Sequence, residues 1–175
     1  MTCIVGLVRD GNVWIGGDRM GSDGQTKIKV TRPKVFHNGE FIIGYTQCFR
    51  LGQLLEFAWK PPMHGDALTD IEYLCGKFVD SLEELIKKHE IDINGGPVFM
   101  FAYRGNLYTI EGNMCVLRHE QYHAIGSGYS EAHGALHAMI YVDDNCEKTV
   151  ITPECMIRVA LESAAEHRVN CGFWS

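Results

Sequence analysis

With 175 residues, 46% of them apolar, the chain is long enough to bury a sizeable core and suits one domain. Its formal net charge of -6, from 16 basic and 22 acidic residues without a Lys/Arg run, argues against a nucleic-acid surface and makes peptides or other small molecules the expected ligands. No stretch approaches the roughly 18 to 20 apolar residues of a membrane span, and the N-terminus has neither the charged nor the apolar region of a signal peptide, so a soluble cytoplasmic protein without a membrane partner is expected. Seven scattered cysteines without a CxxC pair suit reduced thiols, most of them read as small core residues.

Thr2 to Arg9 (TCIVGLVR) and Val13 to Gly17 (VWIGG) are apolar, β-rich runs around Asp10-Gly11-Asn12, a turn signal, and predict a hairpin. Lys34-Val35-Phe36 and Glu40 to Tyr45 flank His37-Asn38-Gly39 and predict a second. From Phe49 to Trp59 the residues Leu51, Leu54, Leu55 and Ala58 follow helical spacing. A longer helix is predicted from Leu68 to His89, with Ile71, Leu74, Phe78, Leu82, Leu85 and Ile86 on its buried side. PVFMFAY, the turn Arg104-Gly105-Asn106, LYTIE and a segment around Cys115 to Leu117 return to strand. After Ala124-Ile125-Gly126-Ser127-Gly128 a helix is predicted near Ser130, and a last one from Pro153 to His167 with Pro in its first turn.

This order, hairpins then two helices then hairpins then two helices, predicts α+β layers; two stacked antiparallel sheets between helical pairs satisfy it, and a three-layer fold is the alternative that the pattern leaves open. Runs as uniformly apolar as FIIGY and VFMFAY suit strands buried on both faces.

Three residues carry a chemical pattern. Thr2 opens the first strand, Asp18 closes its neighbour and Lys34 opens the next hairpin, so all three can meet at one sheet end. A Thr hydroxyl is a weak nucleophile near neutral pH, but its own α-amine, with a reference pKa of about 7.7 to 8.0, can serve as its base once Met1 is removed. A nearby Lys favours the basic form of that amine, and an Asp can hold the Lys. Taken singly, each has a plain reading: a permissible start, a turn residue and a solvated strand end.

TCIVG, Gly17-Asp18, Lys34-Val35, IIGYT and AIGSG followed by a small-residue helix together resemble the proteasome β-subunit family, including its HslV-type bacterial peptidases. The similarity runs along nearly the whole chain, and the interval Thr2 to Asp18 to Lys34 is its most specific part. The resemblance implies a four-layer αββα sandwich, the N-terminal-nucleophile (Ntn) hydrolase fold; no cofactor and no metal at the catalytic residues are expected. It implies a threonine-type peptidase with Thr2 as nucleophile, Asp18 and Lys34 supporting amine and hydroxyl, and Ser127 near the amine. It also implies that Met20 and Gly21 pair with a bound peptide backbone, that Thr46, Cys48 and Phe49 shape the pocket before the cut, and that the Gln47 backbone N–H serves as oxyanion donor. By the same resemblance, subunits form stacked homo-oligomeric rings that take unfolded polypeptide, with an AAA-type unfoldase as a candidate partner.

The sequence departs from the family at two places. Gln47 stands where a Gly is common, and Arg168 and Cys171 stand where many members carry Asp and Ser. Ser127 also has the plain reading of a helix N-cap or turn hydroxyl. Two other classes stay open beside the peptidase: an Ntn amidase acting on a small amide, and an inactive subunit that builds a shell. Cys3 and Cys171 rank below Thr2 as nucleophiles. His133 and His137, four apart on a helix, and His119 and His123, four apart on an extended segment, have the spacing of metal-ligand pairs; polar faces or subunit contacts are the default. Gly21-Ser22-Asp23-Gly24 lacks the alternating carboxylates of a calcium loop and reads as a turn.

Overall fold

The computed structural model describes residues 2–22, 27–46, 49–93, 98–146, 150–168 and 171–172. Strands β1 (Cys3–Arg9) and β2 (Asn12–Gly17) form the first hairpin, closed where Asp10 and Gly11 adopt φ of +50° and +72°. A short hairpin of β3 (Met20–Ser22) and β4 (Lys27–Lys29) follows, then β5 (Val35–Asn38) and β6 (Phe41–Tyr45). Helix α1 (Phe49–Gln53) runs on into a π-helical turn, Leu54–Ala58. Helix α2 (Asp70–Tyr73) passes through a second π-helical turn, Leu74–Phe78, into α3 (Val79–Lys88). Strands β7 (Phe99–Tyr103), β8 (Asn106–Ile110), β9 (Val116–His119) and β10 (Tyr122–Gly126) precede helices α4 (Tyr129–Asn145) and α5 (Pro153–His167).

Hydrogen bonding sorts these strands into a three-stranded sheet, β10-β1-β2, a five-stranded sheet, β5-β6-β7-β8-β9, and the β3-β4 pair, with antiparallel neighbours throughout. Three apolar cores then define the layers. Leu51, Leu55, Leu74, Phe78 and Leu82 seat α1 to α3 on Phe41, Phe99 and Phe101 of the larger sheet. Ile4, Met100, Leu107 and Ile125 fill the space between the two sheets. Cys3, Val5 and Leu7 of β1 meet Leu136, Met156, Ala160 and Leu161 of α4 and α5. Helices, sheet, sheet and helices make the four-layer αββα sandwich that the family resemblance implies, and decide against a three-layer arrangement. Gly6 explains how closely the sheets approach: a Cβ there would stand 2.6 Å from Met100 Sδ and 2.7 Å from Leu107 Cδ1.

Differences from the sequence reading have local causes. Ile71, expected inside, is 48% exposed, whereas Tyr73 is 1% exposed. The π-turn at Leu74–Phe78 takes one extra residue and offsets the helical phase before it. Cys3 and Cys171 are buried, but Cys75, Cys115 and Cys146 are exposed and Cys155 is partly so; a thiol on a loop or an outward helix face has no core to enter. Gly21 and Ser22 belong to strand β3 rather than to a turn, because Met20 to Ser22 pair with Lys29 to Lys27; Asp23 and Gly24 lie outside the described residues. His119 and His123 are not on one segment but on β9 and β10, which belong to different sheets.

Candidate active site

β1 and β2 run antiparallel with Ile4 opposite Gly17, so the chain leaves β2 beside the start of β1. Asp18 is therefore beside Thr2: its backbone N–H donates to the Cys3 carbonyl at 3.0 Å, and its Oδ1 accepts from the Cys3 N–H at 3.1 Å. Lys34 arrives from the second sheet, immediately before β5. Its Nζ donates to Thr2 Oγ1 at 3.0 Å, to Asp18 Oδ1 at 2.7 Å and to the Met20 carbonyl. An ammonium has three protons, and these three acceptors match them.

Thr2, Asp18 and Lys34 are 6%, 2% and 1% exposed. Taking two charges out of water costs several kcal/mol each, about what their attraction returns, so stability alone does not account for the pair. Asp18 Oδ2 has no hydrogen-bond partner among the described residues, so the carboxylate orders Lys34 and the strand end through Oδ1.

The end of β10 closes over the same terminus. Gly126 has φ +93°, and a Cβ on it would collide with the Thr2 carbonyl oxygen, so a residue without a side chain is required there. Ser127 Oγ donates to that carbonyl at 3.3 Å and lies 3.5 Å from Cys171 Sγ. It does not cap α4, whose N-cap is Gly128 without a side-chain bond. Cys171 thus meets Ser127 where the family pattern has a Ser, while Arg168 is taken up by Glu131 of α4 at 2.7 Å. Burial pushes the Cys3 and Cys171 thiols up, which keeps both protonated near neutral pH and weakens them as nucleophiles.

The residues assigned to substrate fall into three groups. Met20 is fully buried and offers only its backbone, its carbonyl already accepting from Lys34. Gly21 lies on β3, and Thr46 is tied down by its hydroxyl and N–H, both donating to the Val98 carbonyl at 3.0 and 3.2 Å. Phe49, 44% exposed, lines a cavity of about 280 Å³ with Val30, Tyr45, Gly52, Arg32 and Glu56, and its ring lies 5.9 Å from Lys34 Nζ. Gln47 and Cys48 lie outside the described residues.

Sequence reasoning missed Val30, Arg32, Tyr45 and Glu56 as cavity walls. Arg32 faces Phe57 at 4.4 Å and pairs with Glu56 at 3.6 Å, a contact between the β4–β5 link and the α1 region that no local spacing signals. Among the described residues, no group of three or more His, Cys, Asp and Glu is arranged to hold a metal ion, and His137 Nδ1 is bonded to Tyr122 at 3.0 Å. No helix among the described residues is long and apolar enough to cross a membrane.

No known family model matches the sequence. Solved structures do share its fold. BPH of Thiobacillus denitrificans, in complex with epoxomicin, superposes with a TM-score of 0.78 at 18% identity, over 99% of this chain and 94% of that one. HslV from Trypanosoma brucei gives 0.68 at 21% identity, over 99% and 97%. A Gly-1 mutant of Anbu from Hyphomicrobium sp. strain MC1 gives 0.65 at 12% identity, over 99% and 78%. The fold of the proteasome-like Ntn peptidases therefore extends over nearly this whole chain.

Proposed function

We propose that this chain, as a single Ntn-hydrolase domain, is a threonine-type endopeptidase that hydrolyses peptide bonds through the Thr2 hydroxyl after Met1 is removed. The observation that carries the reading is the buried Lys34 ammonium, 3.0 Å from Thr2 Oγ1 and 2.7 Å from Asp18 Oδ1. A cation held against a hydroxyl stabilises the developing alkoxide, and it keeps a neighbouring α-amine in the form that accepts a proton.

In this mechanism the Thr2 amine takes the hydroxyl proton and Oγ1 attacks the scissile carbonyl. The Gln47 N–H holds the resulting oxyanion, and the amine delivers the proton to the leaving nitrogen. Water, deprotonated by the same amine, then releases the acyl group from Oγ1. The substrate lies extended along Gly21 of β3, and the side chain before the cut enters the cavity beside Phe49. Val30, Tyr45 and Phe49 favour an apolar side chain there, with Arg32 and Glu56 at the wall.

Ser127 positions the Thr2 backbone through its bond to the Thr2 carbonyl. The fold shared with HslV and BPH supports assembly into stacked rings that enclose the sites and take unfolded polypeptide; a cytoplasmic location and an AAA-type unfoldase as candidate partner complete the proposal.

Intact-mass analysis before and after exposure to a peptide epoxyketone such as epoxomicin tests the reading, since the reagent must react with both the hydroxyl and the free amine. Loss of Met1 and a single stable adduct are expected. A chain that keeps Met1 and stays unmodified would overturn the assignment and favour the inactive shell subunit.

A further inference from the structure

A second polar cluster lies at the other edge of the sandwich. In the three-stranded sheet His123 stands opposite Gly6, so the two residues point to the same face. The space beside Gly6 is occupied by Met100 and Leu107 of the five-stranded sheet, and His119 stands opposite Leu107 within that sheet. The two histidines thus meet across the gap between the sheets. Their rings stack with centroids 3.9 Å apart and an interplanar angle of 7°. They close the open edge of an inter-sheet core otherwise built from Ile4, Met100, Leu107 and Ile125.

The groups facing this stack leave little to hold a positive charge. From α4 come His133, whose ring is 5.8 Å from that of His123, and Tyr129, at 5.6 Å; His137 is taken up by Tyr122. From β1 comes only Gly6. Beyond β8, Glu111 accepts from the Thr109 hydroxyl at 3.1 Å, and that hydroxyl is 3.0 Å from His119 Nε2. Since Thr109 donates to Glu111, it accepts from His119 Nε2–H, and the neutral ring keeps its lone pair on Nδ1. Arg118 and Glu120, flanking His119 in sequence, are exposed. A cavity of about 450 Å³, lined by Glu111, Leu117, His119, His123 and Tyr129, brings solvent to the rings.

We propose that the His119–His123 stack is an acid-released clasp between the two sheets: uncharged, it closes the β9–β10 edge, and protonated, it opens that edge and loosens the end of β10 that carries Gly126 and Ser127 against Thr2. Two stacked imidazolium rings repel one another where Glu111 is the single lining carboxylate among the described residues. Burial, then His119 and His133, push His123 down to about 4; burial and His133 push His119 down as well. A base whose value is lowered by folding binds more protons when unfolded. Its contribution to stability is complete above the unfolded value of about 6.5 and is lost as pH falls from there towards 4.

The test compares the full chain with His119→Phe/His123→Phe, which keeps a stacked pair that cannot titrate, and with His123→Gln should the double variant fail to fold. Thermal midpoints are read from pH 7.5 to 4.5, and hydrogen exchange over residues 120–128, corrected for intrinsic rates, at pH 7 and 5. Between pH 7 and 5 the midpoint of the wild type should fall by about 4 °C or more beyond that of the variant. Protection of β10 should fall at least about tenfold between pH 7 and 5 in the wild type and not in the variant. Equal pH slopes in wild type and variant, or β10 protection unchanged between pH 7 and 5 in the wild type, would overturn the clasp. Neither readout needs turnover, so failure of the peptidase reading and failure of the clasp are told apart.

Discussion

The two polar clusters of this protein, Thr2–Asp18–Lys34 and His119–His123–His133, enter low-dielectric surroundings by opposite routes. At the first, charge survives burial because each proton of Lys34 meets an acceptor and Asp18 is placed by the end of β2. At the second, stacked rings share an edge with no carboxylate in ion-pair contact among the described residues, and burial drives them neutral. A buried ionisable group keeps its charge only where the fold supplies a matched counterpart, and otherwise discards it. Chemistry that depends on a standing charge therefore belongs to the first cluster, and a response to pH belongs to the second.

Substitutions that break the contrast should rank by how much of the matched set they remove. Thr2→Ala should abolish epoxyketone labelling and peptide turnover without loss of folding, since it deletes one acceptor of a still-paired ammonium. Lys34→Ala should lower turnover by at least about 10²- to 10⁴-fold, the range for losing a proton-transfer or charge-stabilising group. It should also cost about 3–5 kcal/mol of stability in urea unfolding, because Asp18 is left buried and unpaired; a fully stable, active Lys34→Ala protein would contradict both roles.

Gly126→Ala should reduce labelling by displacing Thr2, as the added Cβ overlaps the Thr2 carbonyl and strains a backbone at φ +93°. Strain of this kind costs about 1–3 kcal/mol. Ser127→Ala should be milder, about 1 kcal/mol from one lost hydrogen bond, with its effect read in the labelling rate. Phe49→Ala should leave labelling chemistry intact and instead raise KM for peptides with a large apolar side chain before the cut.

Much of this was legible in order and composition. Asp10-Gly11 and Arg104-Gly105 mark hairpin turns because few residues tolerate two successive positive φ values, and both turns are present. Pro153 marks the start of α5, and the structure adds Thr152 before it as the N-cap, accepting from the Cys155 N–H at 3.3 Å. The interval from Thr2 to Asp18 to Lys34 predicts three strand ends, and strand ends are local. The histidine stack was not legible, because spacing of four along a presumed single segment concealed a crossing from one sheet to the other. Ile71 was misplaced for a related reason: a π-turn leaves no mark in hydrophobic periodicity.

By itself the sequence determined the β1–β2, β5–β6 and β7–β8 hairpins and the helical stretches that follow them, though not β3, β4 or β10, because turn chemistry and apolar period act over a few residues. Tertiary structure alone decided that Lys34 crosses from the second sheet to meet Thr2 and Asp18 of the first. It also decided that Arg32 and Glu56 wall the cavity beside Phe49, and that His119 and His123 share one edge. Those contacts depend on how closely two sheets approach, and that distance is set by Gly6, Met100 and Leu107 packing across the gap.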